Sequence, residues 1–147
     1  VKNFSNVKII VKLHPTQNDH TNQIKKLFKK IDSSIPVYYS KSINELISTS
    51  DVLVCVSPEG FDPSTVILEG MIQGKPVMNI ILDNNLYEFQ YVKDKAVLSV
   101  LFNDDLELNL QNILFDEKIK NRLIQNSKNH IENYLSNPET HLSILLN

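Results

Sequence analysis

The sequence predicts an α/β domain with a doubly wound parallel sheet, and three observations support this fold class. Short apolar runs rich in Val and Ile alternate with amphipathic stretches of helical length. The clearest run, residues 51–56, is apolar on both faces, which is typical of a strand covered by helices on both sides. The chain has 147 residues, 41% of them hydrophobic, which is enough for one domain with its own core. We therefore expect residues 1–147 to form a single domain.

Local patterns predict the first strand and the first helix. Residues 8–13 form a β-branched apolar run that ends at His14, because the proline that follows restricts His14 and cannot donate to a ladder. An amphipathic helix then begins at residue 19 or 21 and ends at residue 30. Its apolar stripe consists of Ile24, Leu27, Phe28 and Ile31. Four lysines occupy its other face, and we interpret them as a solvated surface without a function.

A second strand and helix lead to the central strand. Residues 35–39 predict the second strand, and Ser42 caps the second helix. The third strand is the 51–56 run, after which a polar turn leads into a helix over residues 64–73. Gly74 suits the left-handed position that ends a helix, since glycine has no Cβ.

The remaining elements complete the alternation. Strands are predicted over residues 77–82 and 96–102, with a long connection of unassigned structure at 83–95. A helix that begins at Asp104 or Asp105 and ends at about residue 114 follows, and then a helix over 116–135. Strands and helices that alternate in this way form right-handed βαβ units, and the sheet is Rossmann-like. Ligands of such sheets bind beyond the carboxyl ends of the strands.

Composition excludes several classes of protein. The net charge is -2, so the chain lacks the basic field of a protein that binds nucleic acid through its phosphates. It contains one cysteine, Cys55, and no Cys/His cluster with the spacing of a metal site, so we expect no metal and no cofactor. No apolar run is long enough for a transmembrane segment. We expect a reducing, cytoplasmic setting, with any membrane contact peripheral to the inner face.

Both ends of the chain suggest a piece of a longer protein. There is no initiator Met, and the first strand begins within a few residues. Four apolar residues follow the helix-breaking Pro138: Leu142, Ile144, Leu145 and Leu146. We expect this tail to pack on a domain outside the chain or on a second copy of the fragment, the alternative being that it packs on its own domain.

The turn after the third strand is the strongest candidate for a ligand site. A helix begins there with Ser64 and Thr65, whose hydroxyls and free backbone N–H groups can hold a phosphate. Glu69 lies one turn further on the same face as Thr65, where its carboxylate can accept hydrogen bonds from a ribose. The alternative is structural: Asp62 or Ser64 caps the helix and Glu69 is solvated.

These residues resemble a known family. The stretch over residues 51–80 resembles the C-terminal, donor-binding domain of GT-B glycosyltransferases, in which a strand, a Ser/Thr-containing loop and a helix with Glu, a small residue, Gly and Pro bind a nucleotide sugar. The segment Lys12-Leu13-His14-Pro15 is similar to the His-Pro motif of nucleotide-sugar 2-epimerases, of the glycerophosphotransferases of teichoic-acid synthesis, and of bacterial sialyl- and polysialyltransferases. The resemblance covers residues 7–82 well and the terminal helices in outline.

The resemblance implies roles for individual residues. It makes His14 a donor to the nucleotide phosphates and Glu69 the ribose ligand, with Ser64 and Thr65 as the phosphate-binding pair. Ser57 and Glu59, at the start of the same motif, join this nucleotide-sugar site. Glu59 and Glu69 stand further apart than the two acids of retaining GT-B enzymes, so the stereochemical outcome stays open. No catalytic residue is assigned in this chain.

The functional prediction is therefore a nucleotide-sugar binding domain of a GT-B glycosyltransferase. Its expected partners are the nucleotide donor and an N-terminal acceptor domain outside this chain, and the fragment alone is expected to be inactive. The alternatives are half of a nucleotide-sugar 2-epimerase or a glycerophosphotransferase and, in another class, a non-catalytic flavodoxin-like signalling or assembly module. The base, the sugar, the acceptor and the oligomeric state stay open.

Overall fold

Parallel strands alternate with helices, as the α/β prediction requires. The computed structural model describes residues 6–58, 64–83 and 89–136. The chain divides into two compact units, Val1–Leu46 and Ile47–Asn147. The tail after Pro138 and the Glu59 position lie outside the described residues.

The first unit contains a two-stranded parallel sheet. β1 (Val11–Lys12) pairs with β2 (Val37–Tyr38), with Val11 opposite Val37. Both strands are shorter than predicted, because only these residues find ladder partners. A 3-10 helix (Pro15–His20) precedes α1 (Thr21–Ile31), and α2 (Ile43–Ser48) follows β2.

Helix α1 is confirmed, but its apolar stripe is only partly covered, since Ile24 and Phe28 are half-buried. No residue of α1 is buried, and Leu27 and Ile31 are 58% and 59% exposed. A periodic apolar stripe is sufficient to form an amphipathic helix, whereas burial depends on what packs against it.

The second unit contains a three-stranded parallel sheet in the order β3-β4-β5. Its elements are β3 (Leu53–Ser57), α3 (Ser64–Ile72), β4 (Val77–Ile81), α4 (Gln90–Lys93), β5 (Leu98–Leu101), α5 (Leu106–Phe115) and α6 (Glu117–Ser136). Gly74 has φ +67°, which confirms the left-handed residue predicted after α3. The unassigned connection contains the short helix α4.

Helices pack on both faces of this sheet at its central strand β4. Successive residues of a strand point to opposite faces, and Val77 and Met78 of β4 accordingly belong to different core clusters. Val77 packs with Ile67 and Met71 of α3, whereas Met78 packs with Ile113 of α5 and its neighbours. Because both clusters are apolar, β4 is buried on both sides. On the α5 face of β3, Val54 and Val56 are 40% and 57% exposed, so the expected burial of both faces of that strand is wrong.

Polar contacts attach α6 to the connection between α4 and β5. The Ser127 hydroxyl donates to the Ala96 carbonyl at 2.9 Å, and the Asn126 amide donates to the Lys95 carbonyl at 3.0 Å. His130 Nδ1 lies 2.6 Å from a carboxylate oxygen of Asp94. The first two contacts satisfy backbone carbonyls before β5, and the three together attach α6 to the connection between α4 and β5.

Among the helices that the structure describes, none combines the length and apolarity needed to cross a membrane.

Candidate functional site

The junction between β3 and α3 carries the predicted phosphate-binding residues. α3 begins at Ser64, and Thr65 is exposed in its first turn, where backbone N–H groups lack helical acceptors. Glu59 lies in the stretch 59–63 outside the described residues. The helix start and the exposed threonine are therefore where the sequence predicted them, and their role in binding stays a prediction.

Glu69 has an unusual environment for a surface carboxylate. The residue is half-buried on α3, and its Oε2 atom is buried without a hydrogen-bond partner in the part of the chain that the structure describes. A buried acceptor without a donor costs free energy, more so when it belongs to a charged group. The geometry thus leaves a carboxylate in need of a donor one turn beyond Thr65.

Gly70 lets α3 approach the sheet closely. A Cβ at this position would lie 2.6 Å from Leu53 Cδ2 and 3.0 Å from Val77 Cγ2. Carbon atoms in contact normally stay about 3.5–4.0 Å apart, so only glycine fits without rearrangement. This close approach fixes the height at which the neighbouring Glu69 stands above β3 and β4.

Ser57 is buried at the end of β3 rather than open to solvent. Its hydroxyl donates to Asn79 Oδ1 of β4 at 2.7 Å, and both residues are 1% exposed. This hydrogen bond uses the only proton of the hydroxyl, which leaves lone pairs for a further contact. Ser57 therefore stabilises the carboxyl end of the sheet, and its predicted part in nucleotide binding is untested.

His14 lies in the first unit, directly after β1. The Thr16 amide donates to His14 Nδ1 at 3.2 Å, and Thr16 Oγ1 lies 2.8 Å from the same nitrogen. The Gln17 side chain accepts from the His14 amide at 2.8 Å. An Nδ1 that accepts from an amide leaves Nε2 as the ring nitrogen that can donate, and the role of His14 as a donor to a phosphate stays a prediction.

Tyr39 connects β2 to the His-Pro turn. Its hydroxyl donates to the Pro15 carbonyl at 3.0 Å. The Lys12 ammonium donates to the Leu13 carbonyl and lies 5.9 Å from the centre of the Tyr39 ring. Lys12 thus has local structural partners around this turn.

Two other kinds of chemistry find no support in the described residues. Within the described stretches, no three His, Cys, Asp or Glu side chains come together as a metal site would require. Burial raises the pKa of the Cys55 thiol to about 12, so this cysteine stays protonated and is a poor nucleophile at neutral pH.

Sequence reasoning did not anticipate three of the buried polar residues that the structure describes, Asn79, Ser127 and His130. Asn79 interrupts the apolar run of β4, and a polar side chain inside a fully buried strand is the signal that could have identified it. His130 lies on the buried side of α6 and pairs with Asp94, and no spacing rule connects these distant positions.

No known protein family, curated protein or solved structure matches this chain.

Proposed function

We propose that the chain binds a nucleotide-activated sugar or a related nucleotide donor, as the donor-binding domain of a GT-B type glycosyltransferase. The diphosphate would contact the first turn of α3 at Thr65, with the ribose one turn further along the helix. The observation that carries this proposal is the buried, unpartnered Oε2 of Glu69. The proposal includes the transfer reaction and assigns no particular sugar or acceptor.

The chemistry of the two groups is complementary. A ribose offers two adjacent hydroxyl donors, and a carboxylate oxygen without a donor gains free energy by accepting from one of them. A rotation about the terminal side-chain bond of Glu69 can exchange its two oxygens, because that torsion is broad. Phosphate is favoured at a helix start, where N–H groups and the helix dipole act together. Thr65 and Glu69 are one helical turn apart, so the phosphate and the ribose of one nucleotide can contact them at the same time.

A titration with UDP and CMP tests the proposal. Millimolar nucleotide should shift the amide resonances of residues 57–58 and 64–69 in two-dimensional NMR spectra of the isotope-labelled chain. Glu69→Ala should weaken UDP binding by about 1–3 kcal/mol, the range for hydrogen bonds to a charged group, while the thermal midpoint changes little. The exposed acid Glu132 on α6 provides the matched control, because Glu132→Gln removes a carboxylate charge outside this turn.

The ribose assignment has a test of its own. UDP should bind the wild-type chain more tightly than 2′-deoxy-UDP, and the two ligands should bind Glu69→Ala about equally, because alanine offers no acceptor to the 2′-hydroxyl. No shift near α3 at millimolar UDP or CMP would overturn the binding proposal. A large loss of stability in Glu69→Ala with unaltered affinity would make Glu69 a structural residue. His14→Ala tests separately the phosphate role that the resemblance assigns to His14.

A further inference from the structure

A cavity of about 340 Å³ lies in the second unit beside β5, the outer strand of the three-stranded sheet. Its apolar lining consists of Val92, Val97, Leu98 and Leu123. Val97 belongs to the core cluster on the α3 face and Leu123 to the cluster on the α5 face, so the cavity borders both cores. Its walls are therefore built on well-packed elements.

Both charged residues that line the cavity are cations. Lys95 and Arg122 line it, and none of the acidic residues that the structure describes does. Neither cationic side chain makes a hydrogen bond or an ion pair with any residue that the structure describes. Two uncompensated cations beside an apolar surface favour an anion with an apolar body.

Ser99 adds a hydroxyl without a partner. It lines the cavity from β5, and its Oγ atom is buried with no hydrogen bond to the described residues. A serine side chain exchanges among three staggered rotamers, so a hydroxyl that no protein group holds can turn towards a ligand. A ligand oxygen would satisfy this group, as buried polar groups require.

The backbone of Lys95 is held in a conformation that favours this arrangement. Lys95 has φ +54°, which is costly for a residue with a Cβ. The Lys95 amide donates to the Val92 carbonyl at 3.0 Å, and the Asn126 side chain donates to the Lys95 carbonyl at 3.0 Å. Both peptide groups beside the strained residue are thus fixed, and with them the edge of the cavity.

We propose that this cavity binds a small organic anion, with its oxyanion on Arg122, Lys95 and Ser99 and its apolar body on the surrounding side chains. A volume of about 340 Å³ is at the lower end of ligand pockets, which indicates a small molecule. The site is independent of the proposed nucleotide site. Its residues lie around the amino end of β5, whereas α3 begins beyond the carboxyl end of β3, and parallel strands place these ends at opposite edges of the sheet.

Phenyl phosphate and benzoate serve as probes, one for a phosphate and one for a carboxylate as the oxyanion. Titration into the 147-residue chain should shift the NMR resonances of Val97, Leu98 and Leu123, and the probe that binds more tightly identifies the preferred oxyanion. Arg122→Gln should weaken binding at least about tenfold, and Ser99→Ala about fivefold, the effects of losing a charged and a neutral hydrogen bond. Lys118→Gln is the matched control, because it removes an exposed cation of α6, the helix that carries Arg122, outside the cavity lining. This control should change the affinity by no more than about twofold.

Three results would overturn the proposal. The first is the absence of shifts at these residues with both probes at millimolar concentration. The second is equal binding of uncharged phenol, which would mean that the cations do not recognise the ligand. The third is an equal loss of affinity in Lys118→Gln and Arg122→Gln, which would indicate diffuse electrostatic attraction instead of a site. Arg122 is exposed, and circular dichroism spectra confirm that each variant is folded before titration.

Discussion

Replacing Gly70 with alanine should lower the free energy of unfolding, because the added methyl group has no room between α3 and the sheet. The new Cβ would lie 2.6 Å from Leu53 Cδ2 and 3.0 Å from Val77 Cγ2. Leu53 is half-buried and can change rotamer, whereas Val77 is fully buried and β-branched, so its side chain is stiff. The clash with Val77 therefore has to be relieved by a shift of α3 or of β4.

The expected magnitude follows from two opposing effects. Inserting a methyl group into a close-packed core costs about 1–3 kcal/mol. Alanine in a helix is more favourable than glycine by roughly 0.5–1 kcal/mol, which offsets part of that cost. The net destabilisation should be about 1–2 kcal/mol, a decrease of about 2–4 °C in the thermal midpoint per kcal/mol. The chain contains no tryptophan, so urea unfolding is best followed by far-UV circular dichroism.

A double variant and a control distinguish packing from other causes. Leu53→Ala removes the nearer of the two clashing atoms, so Gly70→Ala should cost less in that background than in the wild type. Gly74→Ala is the matched control: Gly74 has φ +67° and nothing within 4 Å of its Cβ position. Its cost of about 1–2 kcal/mol should come from the backbone alone and be independent of Leu53. Strict additivity of Gly70→Ala with Leu53→Ala, or a Gly70→Ala chain as stable as the wild type, would refute the packing argument.

Three further predictions concern buried polar groups. The hydrogen bond from His130 lowers the pKa of Asp94, so this pair stabilises the fold above the unfolded pKa of about 4, and the contribution is lost as the pH falls through the lower, folded value. Asp94→Asn should lower the free energy of unfolding by about 1 kcal/mol near neutral pH. Urea titrations from about pH 7 to about pH 3 should show this difference from the wild type shrinking, whereas a constant difference would contradict the linkage. In urea unfolding, Ser57→Ala and Asn79→Ala should each destabilise the fold by about 1–3 kcal/mol. The double variant should lose less than the sum of the two, and simple additivity would mean that the two side chains are not coupled. Cys55 should react with Ellman's reagent only when the chain unfolds, and rapid labelling of the native chain would show that the thiol is accessible.

Much of the candidate site was predictable, because its elements depend on neighbouring residues. The helical start at Ser64 and the left-handed Gly74 follow from hydroxyl and glycine preferences within one turn of chain. The burial of a carboxylate oxygen of Glu69 without a hydrogen-bond partner was not predictable. Whether a carboxylate oxygen on a helix is solvated or buried depends on how closely that helix approaches the sheet, and here Gly70 decides the distance.

The sequence by itself determined the α/β class, the order of strands and helices, and the residue types at the end of β3, since apolar periodicity and turn residues act locally. Only the tertiary structure decided which polar groups meet. Ser57 pairs with Asn79 across two strands, and Asp94 pairs with His130 across a helix and a connection. Likewise, the cations of Lys95 and Arg122 come to line one cavity only because α6 is attached to the connection that leads into β5. Such contacts join residues far apart in the chain, and their existence depends on packing that no local pattern of residues encodes.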